Sequence, residues 1–165
     1  MNVLELFKPI RTFVFDIDGV LTNSQLLATE DGHLLRSVNI KDGYAIQLAV
    51  KKGYHLWIIS GGNSAAMQTR FQNLGMKEAH IRVQDKKALM QELITKYNAA
   101  PETILYMGDD MPDLQVMQMC GLPAAPADAC AEVIAASKYI SPIKGGMGCV
   151  RDVIEKVLRL NDNWE

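Results

Sequence analysis

The segment Phe13-Val14-Phe15-Asp16-Ile17-Asp18-Gly19-Val20-Leu21-Thr22 constrains this chain more than any other. A run of strand-forming apolar residues ends in two carboxylates spaced i, i+2, and a glycine follows at once. On a continuing strand, residues i and i+2 point to the same face, so two like charges would be driven together. Burying such a pair is costly unless a cation neutralises it or proton transfer employs it. The segment therefore reads as a metal-assisted catalytic site at the carboxyl end of a buried strand.

The rest of the chain supplies the setting. Apolar strands at Arg11–Asp16, Tyr54–Ser60, His80–Val83, Thr103–Met107, Leu122–Ala125 and Tyr139–Ile140 alternate with helical patterns. The helices are expected at Gly43–Lys52, Asn63 to about Leu74, Lys86–Tyr97, Met111–Cys120, about Ala129–Ala136 and Cys149–Leu160. Pro112 suits the first turn of its helix. Gln25–Thr29 and His33–Val38 flank Glu30-Asp31-Gly32 and predict a β-hairpin. Alternating β and α elements imply a parallel sheet covered by helices on both faces, a doubly wound α/β fold. The expectation is one domain over residues 1–165, with a hairpin flap at about residues 24–38 in place of a cap domain.

Composition removes several function classes. Of 165 residues, 48% are apolar and 22% charged, as in ordinary globular proteins. Lys+Arg number 17 against 19 Asp+Glu, and no basic stripe marks a nucleic-acid binder. No apolar run approaches the roughly 20 residues that cross a bilayer, and no signal peptide is expected, so the reading is cytoplasmic. Cys120, Cys130 and Cys149 form no C-x-x-C pair and stand apart from His33, His55 and His80, which disfavours zinc.

In open α/β sheets, ligands bind outside the carboxyl ends of the strands. Those ends carry Asp16 and Asp18, then Ser60-Gly61-Gly62-Asn63, then Gly108-Asp109-Asp110 with Asp113, while Lys86 opens a neighbouring helix. Carboxylates are hard ligands suited to Mg²⁺. A hydroxyl, free backbone N–H groups and a lysine suit a phosphate. Together they point to phosphoryl chemistry.

Asp16-Ile17-Asp18-Gly19-Val20-Leu21-Thr22, Ser60, Lys86 and Gly108-Asp109-Asp110-x-x-Asp113 resemble, in order, the four motifs of the haloacid dehalogenase superfamily of phosphatases. The likeness spans nearly the whole chain. The hairpin, Asn39-Ile40-Lys41-Asp42-Gly43 and Gly145-Gly146-Met147-Gly148-Cys149-Val150-Arg151 resemble its small capless branch, typified by enzymes acting on 3-deoxy-D-manno-octulosonate 8-phosphate. The resemblance implies a homotetramer, a sugar-acid phosphate as substrate, Mg²⁺ as cofactor, and a place in lipopolysaccharide biosynthesis.

The resemblance also implies roles. Asp16 is the nucleophile that forms an aspartyl phosphate, and Asp18 is the acid and base. Mg²⁺ is held by Asp16, the Asp18 carbonyl and Asp109. Lys86 and Ser60 contact the phosphoryl group, while Asp110 and Asp113 orient Lys86 or water from behind. Substrate contacts fall to Asn39, Ile40, Lys41, Asp42, Gly43, Gln47, Gly61, Gly62, Lys86 and Arg70, whose guanidinium suits a carboxylate. Two departures stand out: Asn23-Ser24 replaces the branch's usual Asp-Gly, and Gly62 replaces an arginine usual in the octulosonate enzymes.

Other readings compete. Nine-carbon sugar-acid 9-phosphates are alternative substrates. A signalling receiver would carry its phosphorylated aspartate on a later strand, and a non-catalytic regulatory or oligomerisation subunit would not need all four motifs. Taken singly, Asp109-Asp110 is a helix cap, Lys86 a solvated lysine, and Gly145–Gly148 either a flexible loop or a gate over the site.

Overall fold

The computed structural model describes residues 2–165. Its centre is β1 (Thr12–Phe15), whose four side chains are all buried. It pairs in parallel with β4 (His55–Ile59) on one side and β6 (Ile104–Met107) on the other. β5 (Glu78–His80) extends the sheet beyond β4, while β7 (Leu122–Ala125) and β8 (Tyr139–Ile140) extend it beyond β6. The order is β5-β4-β1-β6-β7-β8, all parallel.

A parallel sheet buried on both faces needs apolar side chains on both sides of each strand, which the sequence provides. Phe13 and Phe15 point into one layer with α1 (Ile40–Lys51), α2 (Ala65–Asn73) and α6 (Cys149–Leu160). Val14 points into the other with α3 (Lys86–Tyr97), α4 (Leu114–Met117) and α5 (Ala131–Ala136). In α6, Cys149, Val150, Val153, Ile154, Val157 and Leu158 form one buried stripe at helical spacing. After β1 the chain turns toward the α1 layer, and after β6 toward the α4 layer. The crevice where connections diverge therefore opens between the ends of β1 and β6.

Several boundaries differ from the sequence expectation, each for a local reason. The β5 strand lies at Glu78–His80 rather than His80–Val83. Beyond it, Arg82 adopts φ +56°, and the amides of Arg82 and Val83 donate to Gly62 O and Ser60 O, so this stretch wraps a turn instead of pairing. Helix α1 starts at Ile40, before Gly43, because Asn39 Oδ1 accepts from the amides of Lys41 and Asp42 at 2.8 and 3.2 Å. Helix α2 is capped by Ser64, not Asn63, whose Oδ1 instead accepts from Arg82 Nε at 2.7 Å. The predicted helix Met111–Cys120 is a single 3₁₀ turn at Met111–Asp113 followed by the short α4.

Between β1 and α1 the chain carries a hairpin of only two residues per strand, β2 (Leu27–Ala28) and β3 (Leu34–Leu35), antiparallel and turning at Gly32 with φ +88°. The expected arms were longer. Among the described residues no strand pairs with their outer residues, and Leu26, Leu27, Leu34 and Leu35 remain exposed.

Candidate active site

Asp16 follows the last residue of β1, and its amide still donates to Met107 O of β6. The strand then stops. Residues Ile17–Leu21 form a wide turn closed by the Thr22 amide on Ile17 O at 3.1 Å. Within it Asp18 is extended and Gly19 adopts φ +90°. The i, i+2 crowding anticipated for a continuing strand is therefore relieved, and each carboxylate has its own cation. Asp16 Oδ2 lies 3.3 Å from Lys86 Nζ, whereas Asp18 receives a bidentate pair from Arg36, Nε to Oδ1 at 2.6 Å and Nη2 to Oδ2 at 3.1 Å.

Lys86 is nearly buried at the first position of α3, the helix that Asp85 caps through the Ala88 amide. Its ammonium also reaches Asp113 Oδ1 at 2.8 Å. Burial disfavours the charged lysine, but the two carboxylates prevail and raise its pKa. Asp113 is fully buried and saturated: it also accepts from Tyr106 Oη at 2.6 Å and from the amides of Asp109 and Asp110 at 3.1 and 3.4 Å. With Asp110 it forms a reciprocal capping box over the Met111–Asp113 turn, so Asp113 caps that turn while it also holds Lys86.

The remaining acid is Asp109. Among the described residues no side chain donates to its carboxylate. Burial, then the charges of Asp16, Asp113 and Asp110, push its pKa up to about 8. Asp16 is pushed up to about 6, first by burial and then by Asp113, against the opposing pull of Lys86. Carboxylate oxygens of Asp16, Asp109 and Asp113 lie within 4.8 Å of one another. With Asp113 already saturated, Asp109 and Asp16, whose oxygens take only the Ile17 amide and the 3.3 Å Lys86 contact, keep lone pairs for a metal, and such hard oxygens fit a small divalent cation.

Ser60 directly follows β4 in a buried position, its Oγ accepting from the Gly62 amide at 3.2 Å. It joins Asp16, Asp18, Ser24, Gly61, Gly62, Lys86, Asp109, Asp110 and Pro112 around a cavity of about 320 Å³. The proposed chemical groups thus share one cavity at the switch point. Gly145 and Gly146 pack against the β1 turn: a Cβ on Gly145 would lie 1.9 Å from Gly19 O, and Gly146 N donates to Val20 O at 2.9 Å. Through these contacts the loop packs as a buttress for the turn.

Beyond Gly61, Gly62 and Lys86, the expected substrate contacts are dispersed. Arg70 and Gly43 are together, since a Cβ on Gly43 would lie 2.9 Å from Arg70 Nη2, but neither lines the cavity of Asp16. Asn39 and Lys41 line a separate cavity with Met147, Arg151 and Lys156. Ile40 and Gln47 are exposed. Asp42 is buried against α6, where Oδ1 accepts from the Arg151 amide at 2.8 Å and burial pushes its pKa up to about 6. Within one chain Asp42 thus joins α1 to α6, and Gly43 packs α1 against α2.

Sequence reasoning missed Arg36, Tyr106 and Ser24. Tyr106 shares a strand face with Ile104, and its hydroxyl near the strand end was the available signal. Arg36 gave a fainter one, a lone cation closing an apolar hairpin arm.

A sequence profile of the haloacid dehalogenase-like hydrolases matches residues 82–150. The 3-deoxy-D-manno-octulosonate 8-phosphate phosphatase KdsC of Yersinia pestis is 31% identical over 164 residues, covering 99% of this chain and 88% of that protein. The crystal structure of 3-deoxy-D-manno-octulosonate 8-phosphate phosphatase from Yersinia pestis matches with a TM-score of 0.94 at 31% identity, over 98% of this chain and 87% of that one. That of the Moraxella catarrhalis phosphatase, in complex with a magnesium ion, a phosphate ion and a KDO molecule, gives 0.93 at 30% identity over 98% and 92%. On this likeness along its whole length, the chain belongs to the haloacid dehalogenase-like hydrolases, within the family of 3-deoxy-D-manno-octulosonate 8-phosphate phosphatases.

Proposed function

We propose that this chain is a Mg²⁺-dependent phosphomonoesterase that hydrolyses 3-deoxy-D-manno-octulosonate 8-phosphate. The observation that carries the reading is the buried Lys86 ammonium joining Asp16 to Asp113, beside the unpartnered Asp109 carboxylate, at the divergence of β1 and β6. Asp16, the Asp18 carbonyl and Asp109 would hold Mg²⁺. Bound there, the ion would offset the charge of nucleophile and phosphate and polarise the phosphoryl group.

An Asp16 carboxylate oxygen attacks phosphorus while the ester P–O bond breaks, and a proton on the Asp18 carboxyl passes to the departing alkoxide. Water then attacks the aspartyl phosphate. Asp18 takes its proton, the Asp16–phosphorus bond breaks, and inorganic phosphate leaves. Lys86 keeps Asp16 ionised and aimed, and adds positive charge where negative charge accumulates on the phosphoryl oxygens. The Ser60 hydroxyl and the amides of Gly61 and Gly62 offer donors to those oxygens.

The exposed hairpin leucines support a homotetramer in which a second copy covers the open cavity. Three unpaired cysteines, two of them buried, support a cytoplasmic protein. Among the described residues, no helix is long and apolar enough to cross a membrane. The product sugar acid would enter lipopolysaccharide biosynthesis.

A second reading, a nine-carbon sugar-acid 9-phosphate, rests on Gly62, which stands where the octulosonate enzymes usually carry an arginine. Phosphate release with Mg²⁺ decides between them when measured on eight-carbon and nine-carbon sugar-acid phosphates, with hexose phosphates as controls. The highest kcat/KM is expected for the eight-carbon ester. A higher value for the nine-carbon ester moves the assignment, and no turnover of either removes it.

A further inference from the structure

Arg36 stands outside every role assigned so far. It follows β3 directly, yet its side chain is 5% exposed, whereas that of Asp18 is 37% exposed. The guanidinium turns inward beneath Asp18 and holds both carboxylate oxygens in a bidentate fork. Asp18 has no other side-chain partner among the described residues. Gly62 completes the arrangement, since a Cβ there would lie 2.7 Å from Asp18 Oδ2 and 3.3 Å from Arg36 Nη2.

The cavity itself is lined by Asp18 but not by Arg36. Arg36 is therefore placed to act on a substrate through Asp18. We propose that Arg36 is a positioning residue, by which the hairpin fixes the direction in which the Asp18 carboxyl faces the leaving oxygen. Asp18 lies on a turn rather than a strand, so without the fork its side chain is free to rotate about χ1 and χ2. A fork on one edge of the carboxylate leaves the outer lone pair of each oxygen for proton transfer. Lys86 cannot substitute, because Asp16 and Asp113 occupy its ammonium.

This inference rests on the reading of Asp18 as acid and base, and its test must separate the two. The measurement is kcat/KM of Arg36→Met on two esters, a sugar-acid phosphate with an alkoxide leaving group and p-nitrophenyl phosphate. The constant kcat/KM reports events up to release of the alcohol, and only the alkoxide needs a proton there. The alkyl ester should lose roughly ten- to a hundredfold while the aryl ester loses severalfold less, a split of the size general acid catalysis supplies. Arg36→Lys, which keeps the charge but not the fork, should fall between wild type and Arg36→Met in that alkyl-to-aryl ratio.

Equal losses on both esters would make Arg36 a merely structural residue and overturn the proposal. So would an unchanged or raised rate on the alkyl ester, which would make the pair a resting latch. If wild type hydrolyses neither ester, the phosphatase reading fails first. If it hydrolyses both and the ratio does not move, only the role of Arg36 fails. Melting temperatures of both variants, read alongside, identify any variant that does not fold, and the other then decides.

Discussion

Gly19 and Asp109 compete for one volume: a Cβ on Gly19 would lie 1.8 Å from Asp109 Oδ2. The glycine is also held at φ +90°, where an L side chain is strained by about 1–3 kcal/mol. Gly19→Ala should therefore lower the melting temperature and push Asp109 out of register with Asp16. The sharper readout is the rise in melting temperature that Mg²⁺ produces, which should shrink or vanish in the variant. Full turnover and an unchanged Mg²⁺ response would show that Asp109 tolerates displacement.

A second expectation concerns pH in the absence of divalent cations. Asp16 and Asp109 are raised to about 6 and about 8 in the folded chain from an ordinary 3.8. Between those limits the folded state binds more protons than the unfolded one, so stability is fullest below about pH 4 with respect to these two groups. It declines as pH rises through 6 and on through 8. Denaturant melts in a chelating buffer from pH 4 to 8 should show this decline, and Mg²⁺ should reverse most of it at the upper end. A flat metal-free profile would contradict the crowding of these acids.

Lys86 is the only side-chain cation within reach of Asp16 and Asp113 among the described residues. Removing one partner of a buried ion pair leaves an uncompensated charge and costs about 3–5 kcal/mol. Lys86→Met should lose about that much near neutral pH, along with nearly all turnover. Lys86→Met combined with Asp113→Asn should recover part of the stability without the activity. No recovery in the double variant would mean that the loss comes from packing.

The Tyr106 hydroxyl makes a quieter contribution through Asp113. Hydrogen bonds to charged groups contribute about 1.5–3 kcal/mol, so Tyr106→Phe should cost an amount in that range. Activity should fall severalfold, because Asp113 then holds Lys86 less firmly. Unchanged stability would mean that water replaces the hydroxyl, which the complete burial of Tyr106 opposes.

The residues that end strands were legible in the sequence because a buried parallel strand needs a continuous apolar run, and polar residues right after it stand at the switch edge. Asp16, Ser60 and Asp109 were found in this way. Lys86 was found through the resemblance, since a lysine opening a helix is ordinarily exposed. What sequence could not give was the partner of each charge. Asp18 meets Arg36 across a hairpin 18 residues away, and Asp113 meets Tyr106 through a strand end, neither at a spacing that periodicity registers. The same limit moved β5, where a left-handed Arg82 and two amide contacts to the Ser60–Gly62 turn override an apolar-looking stretch.

The hairpin supplies the last prediction. Leu27 and Leu35 are paired in register, 65% and 50% exposed, on strands too short to be stable alone. Leu26 and Leu34 extend the same apolar surface. A second copy bringing its own patch would cover it, as in the proposed tetramer. Leu34→Glu with Leu35→Glu places charges in that contact and should lower the mass measured by light scattering from tetramer to a smaller species. Because Arg36 follows Leu35 directly, turnover should fall with the mass and return in part at high protein concentration. Wild type that is already monomeric at assay concentration would remove the assembly from the mechanism. A variant that stays tetrameric would move the contact elsewhere on the surface.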